Sequence, residues 1–114
     1  MCIRDSKYAI RVNGVTQLIM MKGDILTGLD TIKVCNQYKT ENGLIDNFPF
    51  DINPESVSPV YIEVPGWEED LTEINSFERL PKNFTNYIDF LEEELKTPIK
   101  IASVGPDRKQ TIFR

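Results

Sequence analysis

Lys22 and Asp24 carry the most specific chemistry in the sequence, because they directly follow an apolar run at residues 18–21. A short apolar run that ends at a glycine, here Gly23, is typical of a buried strand with polar groups at its carboxyl end. In open α/β sheets, ligands bind at that end. A carboxylate there can accept hydrogen bonds from the N1–H and the exocyclic amine of guanine, and a lysine stem can lie across the base. The same residues also fit an ordinary solvated turn.

A second candidate segment, Ser103-Val104-Gly105, also follows an apolar run. Glycine lets the backbone approach a ligand closely, so the Gly105 N–H could reach a carbonyl acceptor such as guanine O6. The Ser103 hydroxyl could support that contact. Taken alone, this segment fits a plain turn better than a ligand contact.

Other kinds of catalytic chemistry have few candidate residues here. The sequence contains no histidine, which removes the usual general base and any Ser/His or Cys/His pair within the chain. No glycine spacing forms a phosphate loop followed by Lys-Ser/Thr. These residues predict half of a nucleotide site, one that reads a base without holding phosphates.

Length and composition predict one soluble globular domain. The chain has 114 residues and a net charge of −5, which argues against nucleic acid or an anionic membrane as a partner. Its two cysteines provide no disulfide framework or zinc pattern, which fits a reducing, cytoplasmic location. We expect Cys35 to be a small buried hydrophobe. No run is long enough to span a membrane.

Several strands and one hairpin follow from the apolar pattern. Residues 31–38 predict a strand with Ile32 and Val34 on one face, and Asn42-Gly43 predicts a two-residue hairpin turn after it. Residues 60–64 predict a strand that ends at Pro65-Gly66, and residues 98–104 predict another. Residues 7–12 could be the last turns of a helix. Residues 48–58 predict a loop, and we expect the acidic run at 68–70 to be a solvated face rather than a metal site.

Residues 81–96 give the clearest helix. Its apolar positions follow a helical period and form one stripe, in which we expect the aromatic residues to be core rather than a base-stacking platform. Pro81 suits the first helical position, and Pro98 ends the segment. The stripe consists of Phe84, Tyr87, Ile88, Leu91 and Leu95.

An ordered series of short motifs resembles the C-terminal portion of adenylosuccinate synthetase. The series spans nearly the whole chain, and its specificity lies in the order, since no single motif is specific. The matching segments are 7–14 (KYAIRVNG), 22–29 (KGDILTGL), 32–35 (IKVC), 59–61 (PVY), 65–67 (PGW), 80–81 (LP), 86–88 (NYI) and 104–108 (VGPDR).

The resemblance implies a fold related to GTP-binding, P-loop NTPase-like α/β proteins, here a mixed sheet with a hairpin and one long amphipathic helix. It implies a homodimeric, cytoplasmic ligase that joins inosine monophosphate to aspartate at the expense of GTP, with Mg²⁺. It also implies that the guanine of GTP is bound at two segments. These are Lys22, Gly23 and Asp24, and Ser103, Val104 and Gly105.

The sequence departs from the family pattern at two positions and at its start. Met21 replaces a threonine and Gly23 replaces a leucine, and neither change removes the hydrogen-bonding pair. The catalytic residues, the phosphate loop and the metal ligands of the family are expected upstream of residue 7, so we expect none of them here. Residues 1–6 resemble nothing in the family and predict a foreign leader, with residues 7–114 as the guanine-binding part.

Two functional hypotheses follow. The first is the guanine-reading part of a synthetase, with no turnover of its own, because the groups that stabilise a transferring phosphoryl are expected elsewhere. The alternative is a free-standing guanine-nucleotide-binding or regulatory module without catalysis. Adhesion through the Lys22-Gly23-Asp24 tripeptide is rejected, because it ends an apolar run in a cysteine-poor chain.

Overall fold

The computed structural model describes residues 3–45 and 56–114, which form a mixed α/β fold as the sequence predicts. The secondary structure elements are α1 (Ile3–Asn13), β1 (Leu18–Met20), β2 (Thr31–Thr40), β3 (Gly43–Ile45), β4 (Ser58–Pro65), α2 (Lys82–Leu95), β5 (Ile99–Ser103) and β6 (Thr111–Phe113). Short 3-10 turns occupy Gly23–Leu26, Phe77–Arg79 and Arg108–Gln110. Most of the predicted loop at 48–58 lies outside the described residues.

One sheet is mixed and has the strand order β1-β5-β6. Strand β1 pairs in parallel with β5, with Met20 opposite Ala102, and β6 pairs antiparallel to β5. The sequence predicted a buried strand at residues 18–21, and this was wrong in part. Strand β1 is the outer strand of the described sheet, and its Ile19 is 57% exposed because it lines an open surface groove.

The other sheet is antiparallel, with the order β3-β2-β4. The predicted hairpin is confirmed, but its two turn residues are 41 and 42 rather than Asn42-Gly43, because Gly43 already pairs with Thr40 as the first residue of β3. Gly43 has a φ of +113°. Glycine suits this turn because the left-handed region is costly for residues with a Cβ. The predictions for β2 are also confirmed, since Ile32, Val34 and Cys35 are buried.

Helix α2 supplies the centre of the core. All five residues of the predicted stripe are buried in one hydrophobic cluster that includes residues of both sheets. The ring of Trp67 meets Phe84 edge-on at a centroid distance of 4.8 Å, and Tyr87 lies 5.7 Å away. Burial raises the pKa of the Tyr87 hydroxyl. Pro81 is the residue just before the helix rather than its first residue.

Helix α1 contains the turns predicted at residues 7–12 and begins earlier, at Ile3. Ile3 is fully buried, and the Tyr38 hydroxyl of β2 donates to the Asp5 carboxylate at 2.9 Å. Residues 3–6 are therefore structurally part of this helix. Their origin as a foreign leader stays a prediction.

The acidic run at residues 68–70 is exposed, as predicted. In the described ranges, no group of three or more His, Cys, Asp or Glu side chains is arranged to hold a metal ion. No helix in these same ranges is long and apolar enough to cross a membrane.

Candidate functional site

The two segments singled out from the sequence lie beside each other. Parallel pairing of β1 with β5 brings the carboxyl ends of both strands to the same edge of the sheet, where α/β sheets bind ligands. A Cβ placed on Gly23 would lie 3.4 Å from the Ser103 carbonyl oxygen. Residues 22–24 and 103–105, far apart in the chain, are therefore neighbours in the fold.

Lys22 turns the chain sharply after β1. It is exposed and adopts the left-handed conformation, with φ 56° and ψ 42°. A residue with a Cβ rarely adopts these angles, and such outliers concentrate at functional sites. The change of direction starts the 3-10 turn at Gly23–Leu26 and places Asp24 in its first turn.

Asp24 is half-buried, and its main chain is used within the turn, since its carbonyl accepts the Thr27 N–H at 3.1 Å. Its carboxylate forms no hydrogen bond or ion pair with any residue in 3–45 or 56–114. A half-buried carboxylate that the described part of the protein leaves unpaired retains its capacity to accept hydrogen bonds from a ligand.

Gly23 is buried under α2. A Cβ at this position would lie 2.8 Å from two atoms of the fully buried Phe84 ring. The space that a side chain at position 23 would need is therefore filled by Phe84. Gly23 belongs to the site as backbone packed against the core, with no side chain to offer a ligand.

The loop after β5 differs from the sequence prediction in two respects. The Ser103 hydroxyl donates to the Gly105 carbonyl at 3.1 Å, so its proton holds the loop rather than remaining available for a ligand. The Val104 side chain is fully buried, and its N–H donates to the Gln110 carbonyl at 2.8 Å. Both residues shape the loop, because Ser103 bonds to Gly105 and Val104 bonds to the next turn at Gln110.

Gly105 is half-buried, and its N–H donates to no acceptor in the described part of the chain. A Cβ at Gly105 would lie 2.2 Å from the Gln110 side-chain oxygen. The space beside Gly105 is therefore occupied by the Gln110 side chain, whereas the sequence suggested only an approach to a ligand. The loop keeps one free backbone donor.

The site can thus offer a carboxylate acceptor, a backbone donor and an exposed lysine. This set can recognise the edge of a purine that presents two donors and one carbonyl, which is the hydrogen-bonding pattern of guanine. It contains no nucleophile–base pair. Among the described residues, no group of three or more His, Cys, Asp or Glu side chains is placed to hold a metal ion.

Comparison with known proteins identifies the family of this chain. The family model for adenylosuccinate synthetase matches residues 3–112. The chain belongs to the adenylosuccinate synthetase family. The resemblance seen in the sequence is therefore confirmed, and the homologues carry the name of this ligase.

Individual relatives show how much of a synthetase the chain spans. It is 61% identical over 108 residues to an adenylosuccinate synthetase from Christiangramia forsetii, and 57% identical to one from Flavobacterium psychrophilum. Each match covers 95% of this chain and 26% of the relative. The solved structure of a fully ligated synthetase from Plasmodium falciparum matches with a TM-score of 0.93 and 34% identity, over 100% of this chain and 28% of that one.

Gln110 is the residue that sequence reasoning missed in this member of the synthetase family. Its side chain accepts the Asp107 N–H at 2.9 Å, while the Asp107 carboxylate accepts the Lys109 N–H at 2.8 Å. This reciprocal arrangement is a capping box. The spacing Asp-x-x-Gln is readable in the sequence and could have indicated it.

Thr72 links the loop to the chain that follows Trp67. Its carbonyl accepts the Gln110 side-chain N–H at 2.9 Å. Its own N–H and hydroxyl donate to the Asp70 carboxylate, at 2.9 and 2.7 Å. These two hydrogen bonds, the backbone one first, lower the pKa of the Asp70 carboxyl from its usual value.

Proposed function

We propose that residues 7–114 form the part of an adenylosuccinate synthetase that reads the guanine base of GTP. The observation that supports this most directly is the pair of free polar groups on adjacent segments, the Asp24 carboxylate and the Gly105 N–H. We assign Asp24 to the guanine N1–H and exocyclic amine, and Gly105 to the 6-oxygen. Lys22 lies across the base through its aliphatic stem.

The remaining predicted residues support this pair. Gly23 and Val104 pack their segments into the core, and Ser103 fixes the carbonyl of Gly105. Adenine offers an amine where guanine has its oxygen, and it lacks the exocyclic amine at position 2. A carboxylate and an N–H at these places would therefore each face a mismatched group, and buried mismatches are costly.

The chemical reaction proposed for the complete enzyme is the GTP-driven condensation of inosine monophosphate with aspartate, which yields adenylosuccinate, GDP and phosphate. The relatives are about four times as long as the match, since it covers 26% of them. We assign the phosphates, the magnesium ion and both other substrates to the rest of such an enzyme, together with its relation to P-loop proteins. A cytoplasmic homodimer is proposed for it.

The experiment is a titration of the purified chain with GDP and with inosine diphosphate, followed by amide NMR. We expect weak binding, because the charge-assisted phosphate contacts are absent, and a preference for GDP, which alone has the exocyclic amine. The variant Asp24→Asn removes the charge and one acceptor. It should weaken GDP binding by about 10-fold or more and abolish the preference over inosine diphosphate.

The matched control is Asp30→Asn, which removes the same charge from an exposed residue outside the two segments. It should bind GDP as the unmodified chain does. An unmodified chain whose Asp24 and Gly105 amides do not respond to GDP would contradict the proposal. Equal binding of GDP and inosine diphosphate would contradict the role given to Asp24.

A further inference from the structure

The loop that carries Gly105 takes its shape largely from one residue, Gln110. The main-chain carbonyl of Gln110 accepts the Val104 N–H at 2.8 Å, and its side-chain oxygen accepts the Asp107 N–H at 2.9 Å. Its main-chain N–H donates to the Asp107 carbonyl at 2.9 Å. Gln110 therefore bonds to the loop on both sides of Gly105.

The side chain of Gln110 is itself held in place. Its amide N–H donates to the Thr72 carbonyl at 2.9 Å. Thr72 is held in place as well, because its own N–H and hydroxyl donate to the Asp70 carboxylate. The same side chain fills the space beside Gly105 where a Cβ would stand. A half-buried glutamine with both ends of its amide bonded has little rotational freedom left, so it can act as a rigid support.

These contacts leave a specific pattern of donors. Position 106 is a proline and has no N–H. Gln110 accepts the N–H groups of Val104 and Asp107, and the Gly105 N–H between them has no acceptor in the described part of the chain. We propose that Gln110 is a positioning residue that aims the Gly105 N–H at the 6-oxygen of the purine.

The inference rests on the proposed guanine site and divides its specificity in two. Asp24 distinguishes guanine from hypoxanthine through the exocyclic amine, whereas the Gln110–Gly105 pair responds to the 6-oxygen that both bases share. Loss of the Gln110 side chain should therefore lower the affinities for GDP and for inosine diphosphate by the same factor. The ratio of these two affinities should stay unchanged.

The test compares Gln110→Met with the unmodified chain in amide NMR titrations. Methionine keeps the volume beside Gly105 and removes both side-chain hydrogen bonds. We expect affinity for GDP and for inosine diphosphate to fall about five-fold, the effect of one neutral hydrogen bond. The downfield shift of the Gly105 amide proton on GDP binding should disappear, while the shift at Asp24 remains. The diphosphate of 2-aminopurine riboside, which lacks the 6-oxygen, should bind both chains equally.

Two further variants complete the design. Lys109→Ala changes an exposed neighbour in the same 3-10 turn. It should leave the nucleotide affinities and the amide shifts of Asp24 and Gly105 unchanged. Gln110→Glu keeps the acceptor for the Asp107 N–H but lacks the N–H that donates to the Thr72 carbonyl. Its Gly105 shift on GDP binding should therefore be smaller than that of the unmodified chain and larger than that of Gln110→Met, and the comparison with the unmodified chain remains decisive if Gln110→Met unfolds the chain.

The outcomes separate this inference from the proposed function. A GDP response at Asp24 and Gly105 that survives unchanged in Gln110→Met contradicts the inference alone. A Gly105 shift in Gln110→Glu equal to that of the unmodified chain, or an equal loss of affinity for the 2-aminopurine nucleotide in Gln110→Met, contradicts it as well, because the first result makes the Gln110 hydrogen bonds irrelevant and the second points to general damage. A chain that gives no GDP response at all contradicts both.

Discussion

At the scale of single residues, the site depends on backbone conformation as much as on side-chain type. Lys22 and Lys96 are the non-glycine residues with positive φ in the described part of the chain, at 56° and 52°. Lys96 ends helix α2, where a left-handed residue is ordinary. Lys22 has no helix to end. Its conformation is explained by the need to turn the chain into the site after β1.

This difference predicts the behaviour of two matched variants. Lys22→Gly and Lys96→Gly each remove a left-handed residue with a Cβ, which costs about 1–2 kcal/mol, and each adds the backbone entropy of glycine to the unfolded chain. We expect both to raise the free energy of unfolding by up to about 1 kcal/mol in urea denaturation.

Only Lys22→Gly should also weaken GDP binding, by a few-fold, because the stem that covers the base is lost. Lys96→Gly is the control for the shared backbone effect. Equal GDP affinity in the two variants would show that Lys22 does not contact the base and that its conformation serves the turn alone.

At the scale of elements, the site is built where a strand pair meets the first turns of α2. The parallel pairing of β1 with β5 places the carboxyl ends of these two strands side by side. Phe84 of α2 limits how closely the 3-10 turn at Gly23–Leu26 approaches the core. The family resemblance places a leucine where this chain has Gly23. The Phe84 ring explains why glycine is compatible here: the ring already occupies the space of a side chain at position 23.

A double-mutant cycle tests this packing. Gly23→Ala should destabilise the chain by about 1–3 kcal/mol, since the new Cβ would lie 2.8 Å from the fully buried Phe84 ring. In the Phe84→Ala background, itself destabilised by about 3–5 kcal/mol, the same alanine should cost nothing or fill part of the cavity. Chemical denaturation of the four chains measures the coupling, and strict additivity would rule out direct contact between the two positions.

At the scale of the whole molecule, the described surface carries an apolar groove next to the candidate site, and Lys22 lines it. The α1–α2 groove, a cavity of about 430 Å³, lies between the two helices and β1, and neither Asp24 nor Gly105 lines it. Ile19, Met21 and Ile25 line the groove and are each more than half exposed. Contiguous exposed apolar surface of this kind promotes self-association.

We therefore expect the isolated chain to bind a hydrophobic dye and to associate at high concentration. Ile19→Lys should reduce both, with a change in unfolding free energy within about 0.5 kcal/mol, because this side chain is 57% exposed. Leu44→Lys is the matched control, because Leu44 is 60% exposed but lies on β3, away from the groove. Dye fluorescence would measure dye binding, and sedimentation would measure self-association. An equal response to both variants would show that the groove is not their cause.

The sequence by itself determined the local structure and the family. The period of Phe84, Tyr87 and Leu91 predicted α2, and the Asn42-Gly43 pair predicted the hairpin, because helical spacing and turn conformation depend on near neighbours in the chain. The order of short motifs indicated the synthetase family. It also indicated Asp24 and Gly105 as the residues to consider for guanine, and that role stays a proposal.

Only the tertiary structure decided which polar groups remain free. Ser103 and Gly105 looked alike as donors in the sequence, yet the Ser103 proton is used within the loop while the Gly105 N–H is not. The support from Gln110 and the exposure of β1 were equally hidden. Hydrogen-bond satisfaction and burial depend on contacts between residues far apart in the chain, such as Thr72 with Gln110, and no local pattern specifies them.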